Sequence, residues 1–256
     1  MSDITDTPAE SEPAPAVLPA GLYLVGTPIG NLEDITARAL RILGGVSVVF
    51  AEDTRITRRL LERYAIRTPM ISCHQHNEAR RIETILERVR RGEAVALATD
   101  AGMPGVSDPG SRVAEAVRAE GLPVTVIPGP CSVSAALALS GLGGGAYSFS
   151  AFLPHKSGAR RKRLASLLER AEPVVLFESP YRIAKLAGEL AELDPERPVC
   201  MARELTKKFE EVRTLSAREW VAYWDGRTPR GEFVVIIAPR EAGESRDDEP
   251  RDDSHP

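Results

Sequence analysis

Apolar and polar residues alternate along the chain in two repeating patterns between residues 20 and 240. Short apolar runs, of which 94–99 is the clearest, are typical of buried strands. Between them lie segments with the 3.6-residue period of amphipathic helices, such as 78–91, where Ile85 and Val89 share one face. This alternation predicts an α/β protein whose first half contains a parallel sheet.

The pattern is interrupted once, near the middle of the chain. Residues 128–145 hold a Pro-Gly-Pro sequence, a helix of small residues and a Gly-rich stretch, which favour an interdomain connection. We therefore predict an N-terminal α/β domain at 20–127 and a C-terminal α/β domain at 146–240, with a ligand cleft between them. The Pro-rich, acidic tails at 1–19 and 241–256 are predicted to be disordered.

Charge is distributed unevenly along the 256 residues, whose net charge is −4. The two tails carry eleven acidic residues and two arginines, which leaves 31 Lys and Arg against 26 Asp and Glu in residues 20–240. This excess suits a polyanionic partner, although a solvated surface of mixed charge explains it equally well. The sequence has no apolar run near the roughly 18 residues of a membrane helix, no secretion signal and only three dispersed cysteines. We expect a cytoplasmic protein that does not contact membranes.

Four loops follow predicted strand ends, where α/β proteins bind ligands. Residues 26–32 contain Gly-x-x-x-Gly, which differs from the dinucleotide fingerprint and is equally explained by a tight turn. The loop 99–110 has three Gly, two Pro and two Asp, and its Asp100 is placed to accept a hydrogen bond from a ligand. The segment 128–132 begins a helix, and exposed backbone N–H groups there could bind an anion. An ordinary interdomain hinge explains this segment equally well. Residues 231–232 give the weakest signal, since a turn accounts for them.

Eight short motifs follow one another in a fixed order over residues 22–238. Together they carry a resemblance to a known family. They are 25–32, 51–55, 74–78, 100–110, 128–130, 177–182, 203–207 and 231–232. In these motifs the chain resembles the tetrapyrrole methylase superfamily, and within it the branch that methylates ribosomal RNA. Porphyrin-modifying relatives usually have Gly-Asp-Pro where this chain has Asp100-Ala101-Gly102, which favours the RNA branch.

The resemblance implies a two-domain α/β fold unlike that of the Rossmann methyltransferases, S-adenosyl-L-methionine as methyl donor, and a homodimer. It also implies 2′-O-methylation of a cytidine ribose in the decoding region of 16S rRNA, either free or within the small ribosomal subunit. The family's cofactor contacts, carried over residue by residue, fall at Pro28, Asp100, Met103, Val106, Cys131, Ser132, Phe177, Leu205 and Gly231.

Methylation of a ribose hydroxyl is helped by a general base. Asp53, after a predicted strand, is the leading candidate, but capping of the next helix explains it equally well. Lys207 is a second candidate as a base or phosphate ligand, and its alternative is a solvated strand end. His74 and His76 have no third ligand beside them and the chemistry needs no metal, so we expect none.

The expected RNA contacts are basic or hydrogen-bonding side chains outside the cofactor loops. Arg55 is placed to meet a phosphate, and His76 with Asn77 either touches RNA or caps the next helix. A basic run at the start of a C-terminal-domain helix is either a phosphate-binding surface with at least two outward side chains, or an ordinary solvated face. This run comprises Lys156, Arg160, Arg161, Lys162 and Arg163.

Three other classes of protein compete with this interpretation. A methylase of a small, tetrapyrrole-like molecule would not need the basic run. A non-catalytic RNA-binding protein would have lost the cofactor, so equilibrium binding of S-adenosylmethionine separates it from an enzyme. A nicotinamide oxidoreductase is disfavoured because the dinucleotide fingerprint is missing.

Overall fold

A computed structural model describes residues 17–143 and 145–240 of the chain. The disorder predicted for the tails therefore lies outside the described residues, apart from 17–19. Two compact units divide between Cys131 and Ser132. Within the described ranges, no helix is long and apolar enough to cross a bilayer.

The first unit is built on a parallel sheet of five strands in the order β3-β2-β4-β1-β5. Its strands are β1 (Gly21–Val25), β2 (Val48–Ala51), β3 (Met70–Ser72), β4 (Ala94–Ala98) and β5 (Val124–Ile127). Its helices are α1 (Ala37–Gly45), α2 (Thr54–Arg63), α3 (Glu78–Arg90) and α4 (Ser111–Ala119).

Two separate cores form because alternate strand residues point to opposite faces of this sheet. Residues such as Val25 and Val49 pack with α1 and α2. Residues such as Phe50 and Leu97 pack with α3 and α4 on the other face. The central strand β4 is buried along its whole length, as a parallel sheet covered on both faces requires.

The second unit contains a mixed sheet of five strands in the order β6-β7-β10-β8-β9. Only β6 and β7 pair in parallel, and the other neighbours are antiparallel. Its strands are β6 (Ser148–Phe152), β7 (Val174–Glu178), β8 (Pro198–Arg203), β9 (Glu211–Ser216) and β10 (Phe233–Ile237). Its helices are α5 (Ser132–Ser140), α6 (Ser157–Leu168), α7 (Ile183–Leu193) and α8 (Ala217–Trp224).

Helices cover both faces of this second sheet. Apolar residues of α6, α7 and α8 share a core with Leu176, Met201 and Val235. Helix α5 packs against β10, β9 and β8. The small-residue helix of the predicted connection is thus part of the second unit rather than a linker.

Candidate active site

Five strand ends meet at one edge of the first sheet, because all of its strands run in the same direction. The last residue of β1, Val25, is level with Ala98 of β4 and Ile127 of β5. Ala51 of β2 is level with Ala98 and with Ser72 of β3. The carboxyl edge therefore carries five of the sequence motifs side by side, as expected for a ligand site in this class of fold.

The loops after β1, β4 and β5 contact one another through their backbones. Thr27 and Gly102 form an antiparallel bridge, with N···O distances of 2.9 and 3.1 Å. A Cβ atom built on Gly26 would lie 2.8 Å from the Gly129 backbone and 2.6 Å from Sδ of Met103. Glycine is required at this crossing because no side chain fits between the two loops.

The loop after β4 is held in shape by its own hydrogen bonds. The N–H of Gly105 donates to the carbonyl of Pro109 at 3.1 Å, and the N–H of Gly110 donates to the buried carboxylate of Glu78 at 2.9 Å. Ser107 has a φ of 65°, an unfavourable left-handed conformation for a residue with a side chain. This fixed shape supports the interpretation of 99–110 as more than a connection.

Carboxyl groups accumulate where β2 and β4 end. Asp100 accepts a hydrogen bond from the N–H of Asp53 at 2.9 Å, and Glu52 accepts one from the N–H of Asp100 at 3.3 Å. Burial raises the pKa of Glu52 and of Asp100 above their ordinary values. Burial also raises the pKa of Asp108 to about 6, assisted by the negative charges of Glu52 and Asp100. A cation bound here would relieve this repulsion.

Asp53 is the N-cap of α2. Its carboxylate accepts the N–H of Arg55 at 2.8 Å and pairs with the Arg55 guanidinium at 2.6 Å. Hydrogen bonds from the side chain and backbone of Arg55 lower the pKa of Asp53 to about 2. The capping alternative is therefore the one that the geometry supports, and so acidic a carboxyl is a weak general base. Arg55 remains 87% exposed despite its ion pair.

The segment after β3 forms a compact turn. Asn77 is the N-cap residue of α3 but makes no side-chain cap bond. Its Oδ1 instead accepts the N–H of His74 at 2.8 Å, and its Nδ2 donates to the carbonyl of Ser72. His76 is exposed beside this turn. Asn77 thus braces the turn before the helix, and His76 is left accessible to a partner.

Two motifs of the second unit join into one constellation around Glu204. Its carboxylate accepts the N–H of Glu232 at 3.0 Å and the Nζ of Lys207 at 3.0 Å. Gly231 has a φ of +87° and lies so close to Glu204 that an added Cβ would meet that side chain at 2.5 Å. Leu205, the residue after Glu204, is buried. Phe177 is half-buried near the end of β7.

Lys207 lies between two carboxylates, those of Glu204 and Glu232, the latter at 2.7 Å. Partial burial alone would lower the pKa of Lys207, but hydrogen bonds to the two carboxylates raise it above its ordinary value. Lys207 is therefore a cation at neutral pH, which disfavours its predicted role as a base and leaves its charge available for structure or for phosphate.

The basic run divides into a buried member and an exposed group. Arg160 is only 2% exposed and forms ion pairs with Glu178 at 3.7 Å and Glu189 at 2.7 Å. Arg160 was expected to contact RNA, and this expectation is wrong because its guanidinium is enclosed between β7 and α7. The side chains of Lys156, Arg161, Lys162 and Arg163 are exposed. Arg161 pairs with Glu192 at 2.5 Å.

The proposed cofactor contacts fall in both units. Pro28, Asp100, Met103, Val106 and Cys131 belong to the first, and Ser132, Phe177, Leu205 and Gly231 to the second. Sequence reasoning missed Glu52 and Asp108 as partners of Asp100, although both stand in recognised motifs. Over the described ranges, no group of three or more His, Cys, Asp or Glu side chains is arranged to hold a metal ion.

Comparison with known proteins assigns the class. The sequence profile described as Tetrapyrrole (Corrin/Porphyrin) Methylases matches residues 21–220. The chain belongs to this tetrapyrrole methylase family, and the α/β fold class predicted from the sequence is confirmed.

Similar proteins define a narrower group within that family. A relative from Mesorhizobium japonicum is 45% identical over 242 residues, covering 94% of this chain and 81% of its own. One from Neisseria meningitidis serogroup A is 42% identical, covering 88% and 78%, and one from Thermotoga maritima is 40% identical, covering 86% and 99%. All three are named ribosomal RNA small subunit methyltransferase I, and the predicted relationship to this branch is confirmed.

Solved structures share the fold. Uroporphyrin-III-C-methyltransferase from Thermus thermophilus is similar with a TM-score of 0.60 and 25% identity, covering 85% of this chain and 94% of that one. A structure of a protein of the same name and organism, 21% identical with a TM-score of 0.59, was solved as a complex with S-adenosylhomocysteine. A conserved hypothetical protein from Aeropyrum pernix has a TM-score of 0.66 at 20% identity.

Proposed function

We propose that this protein transfers a methyl group from S-adenosylmethionine to the 2′-hydroxyl of a cytidine in the decoding region of 16S rRNA. The observation that carries the proposal is the arrangement of five motif-bearing loops at one sheet edge, in a chain whose relatives at 40–45% identity are named for small-subunit rRNA methylation. The acceptor is either free RNA or the small ribosomal subunit, and the protein acts in the cytoplasm as a homodimer.

The residues at this edge fit the methyl donor in two respects. The close contact of Gly26 with Gly129 holds the backbones of two loops together at the sheet edge where the donor is proposed to bind. The carboxyl groups of Glu52, Asp100 and Asp108 repel one another and favour a bound cation. S-adenosylmethionine, when bound, supplies an electrophilic methyl group on a positively charged sulfur.

Much of the rate enhancement comes from positioning. Holding the ribose oxygen in line with the carbon–sulfur bond supplies an effective molarity on the order of 10⁵ M or more. A donor held by the loops 26–32 and 99–110 would supply its methyl group to the ribose oxygen, and the hydroxyl proton would leave for a base or water. The internally bonded loop 99–110 is suited to this positioning role because its backbone is already fixed.

Asp108 is better suited than Asp53 or Lys207 to accept the hydroxyl proton. It is half-buried, and no group in the described residues donates a hydrogen bond to its carboxylate. Its pKa of about 6 leaves it ionised at neutral pH yet more basic than Asp53, whose pKa is about 2. A base of this kind contributes about 10²- to 10⁴-fold to the rate.

RNA binding is assigned to the exposed basic residues Lys156, Lys162 and Arg163, with Arg55 and His76 at the first sheet edge. Each phosphate contact on a single strand contributes a slope of about −0.7 to the dependence of log affinity on log salt. A small tetrapyrrole acceptor is the second candidate, favoured by the shared fold with uroporphyrin methyltransferases.

Calorimetric binding of two cofactor forms tests the carboxylate site. Affinity for cationic S-adenosylmethionine should rise at least about tenfold between pH 5 and pH 7.5, because ionised Asp108 favours a cation. S-adenosylhomocysteine has a neutral sulfur and should show a smaller rise. Equal pH dependence for both would mean that these carboxylates do not face the sulfur atom. Light scattering tests the homodimer separately.

A further inference from the structure

Three phenylalanine rings form a row on the second sheet, and only Phe177 among them belongs to the proposed cofactor contacts. The ring of Phe177 on β7 lies 5.0 Å from that of Phe149 and 5.7 Å from that of Phe152, both on β6. Phe149 and Phe177 are half-buried, but Phe152 is 57% exposed. An aromatic ring presented to solvent at the edge of a sheet is available to a partner.

The row depends on an irregularity in β6. Residues three apart in a regular strand point to opposite faces, so Phe149 and Phe152 should not contact the same ring. The pairing of β6 with β7 shifts register between these two residues, and Ala151 has a φ of 47°, in the left-handed region. A bulge of this kind redirects a side chain, here Phe152, toward Phe177.

The row lies on the sheet face opposite the main core of the second unit. Leu176 and Val174 of β7 point into that core with α6 and α7, so Phe177 between Leu176 and Glu178 points the other way. Helix α5 packs on that opposite face against β10, β9 and β8. The rings on β6 and β7 therefore occupy the other end of the face.

Positive charge flanks the exposed ring. Nη2 of Arg163 on α6 donates to Oγ of Ser150, two residues before Phe152, at 2.9 Å. Within the described residues neither Arg163 nor Lys162 has an acidic partner, and Lys156 is exposed just after the strand. Glu172, which precedes β7 and lies beside the start of β6, accepts a hydrogen bond from Ser148 and pairs with Arg170. An aromatic surface beside unpaired cations suits an unpaired nucleotide, whose base stacks while its phosphate meets a guanidinium.

We propose that Phe152, supported by Phe177, stacks on an unpaired base of the RNA substrate while Arg163 contacts that nucleotide's phosphate. This proposal extends the proposed function and rests on it, because stacking on a base requires that the acceptor is RNA. It also changes the basis of RNA recognition from charge alone to charge combined with stacking.

The test measures binding of a fluorescein-labelled single-stranded RNA of about twelve nucleotides to the full-length protein by anisotropy. Phe152→Ala should weaken binding by about 5- to 150-fold, the range that loss of one stacked base produces. Phe152→Trp should restore it, because a larger aromatic face remains. Phe209→Ala is the matched control, since Phe209 is an equally exposed phenylalanine of the second unit, 64% accessible, and its loss should change affinity less than twofold.

Three further measurements, of salt dependence, cofactor affinity and oligomeric state, separate the alternatives. Arg163→Gln should reduce the salt slope of RNA binding by about 0.7, as for one lost phosphate contact. The affinity of Phe152→Ala for S-adenosylmethionine should stay within about twofold of the parent. A parallel loss of cofactor affinity would overturn the proposal by assigning the row to the cofactor, and a shift from dimer to monomer would overturn it by assigning the row to a second copy.

Failure of this proposal is distinguishable from failure of the proposed function. If the parent protein methylates ribosomal RNA and Phe152→Ala binds RNA as well as the parent does, only the stacking surface is wrong. If the parent neither binds nor methylates RNA, the proposed acceptor is wrong, and the stacking surface with it.

Discussion

Replacing Asp108 by asparagine should make the protein more stable and less active. The substitution keeps the size and shape of the side chain but removes a negative charge that is disfavoured by burial and by repulsion from Glu52 and Asp100. Enzymes commonly accept such a local loss of stability where a charged group serves the reaction. Asp108 is the residue for which the structure gives the clearest expectation of this kind.

The magnitude follows from the difference in pKa between the folded and unfolded chain. Asp108 is raised from 3.8 to about 6, which corresponds to about 3 kcal/mol at most, at about 1.36 kcal/mol per pKa unit. Because a raised carboxyl pKa favours the protonated form, the folded state is penalised as pH rises from 3.8 through 6 and carries the full penalty above that. After allowance for partial exposure, Asp108→Asn should gain about 1–2 kcal/mol at pH 7.5 and less than about 1 kcal/mol at pH 4.5.

Urea unfolding followed by far-UV circular dichroism at the two pH values measures this gain. Circular dichroism is needed because both tryptophans, Trp220 and Trp224, lie in the second unit and would not report directly on the first. Asp225→Asn is the control, since it removes an exposed carboxylate from α8's end and should change the free energy of unfolding by less than about 0.5 kcal/mol. Methyl transfer by Asp108→Asn should fall by about 10²- to 10⁴-fold.

Two results would refute this reasoning. A loss of stability at both pH values would mean that the Asp108 carboxylate makes a stabilising contact that asparagine cannot replace. Stabilisation together with unchanged turnover would agree with the expected effect of the charge on stability. It would also mean that Asp108 is not the base that accepts the hydroxyl proton.

Three further sets of substitutions test separate parts of the structure. Arg160→Met should cost up to about 3–5 kcal/mol, because Glu178 and Glu189 lose the buried cation between them and keep one other cation each, Arg182 and Lys185 respectively. Arg161→Met loses only an exposed pair and should cost less than about 1 kcal/mol. Urea unfolding monitored by tryptophan fluorescence measures both, and equal costs would contradict the buried assignment. Gly129→Ala should lower the free energy of unfolding by about 1–3 kcal/mol and weaken S-adenosylmethionine binding. The reason is that its Cβ would lie 2.9 Å from the Gly26 backbone. An unchanged melting temperature and affinity would show that the two loops can separate. Lys207→Arg should keep at least about a third of the turnover, whereas Lys207→Met should keep less, because the site needs the charge of Lys207 rather than its basicity. Equal inactivation of both variants would indicate a chemical role for the amine.

The strands that could be predicted from the sequence are those with continuous apolar runs. The apolar run 174–178 predicts a strand, and β7 has these limits because it is an interior strand with four of its five residues buried. The apolar pattern predicts no strand at β3 or β9, since β3 has only three half-buried residues and β9 is an edge strand with exposed polar positions. The amphipathic pattern predicts a helix over 57–64, but α2 begins at Thr54 because Asp53 caps it there.

Site residues were harder to assign because their partners come from distant parts of the chain. The basic run is visible in the sequence, but the inward rotation of Arg160 depends on Glu178 and Glu189, which β7 and α7 supply. The motif containing Asp108 was recognised, yet its proximity to Glu52 follows only from the adjacent pairing of β2 and β4.

Transfer of a labelled methyl group tests the central claim most directly. Purified protein, S-adenosylmethionine with a labelled methyl group, and small ribosomal subunits that lack native methylation would be incubated beside a parallel reaction offering uroporphyrinogen III. The RNA would be digested to nucleosides and examined by mass spectrometry. The account predicts label in a 2′-O-methylated cytidine derivative from the subunits and none in the tetrapyrrole. Label in the tetrapyrrole alone would contradict it.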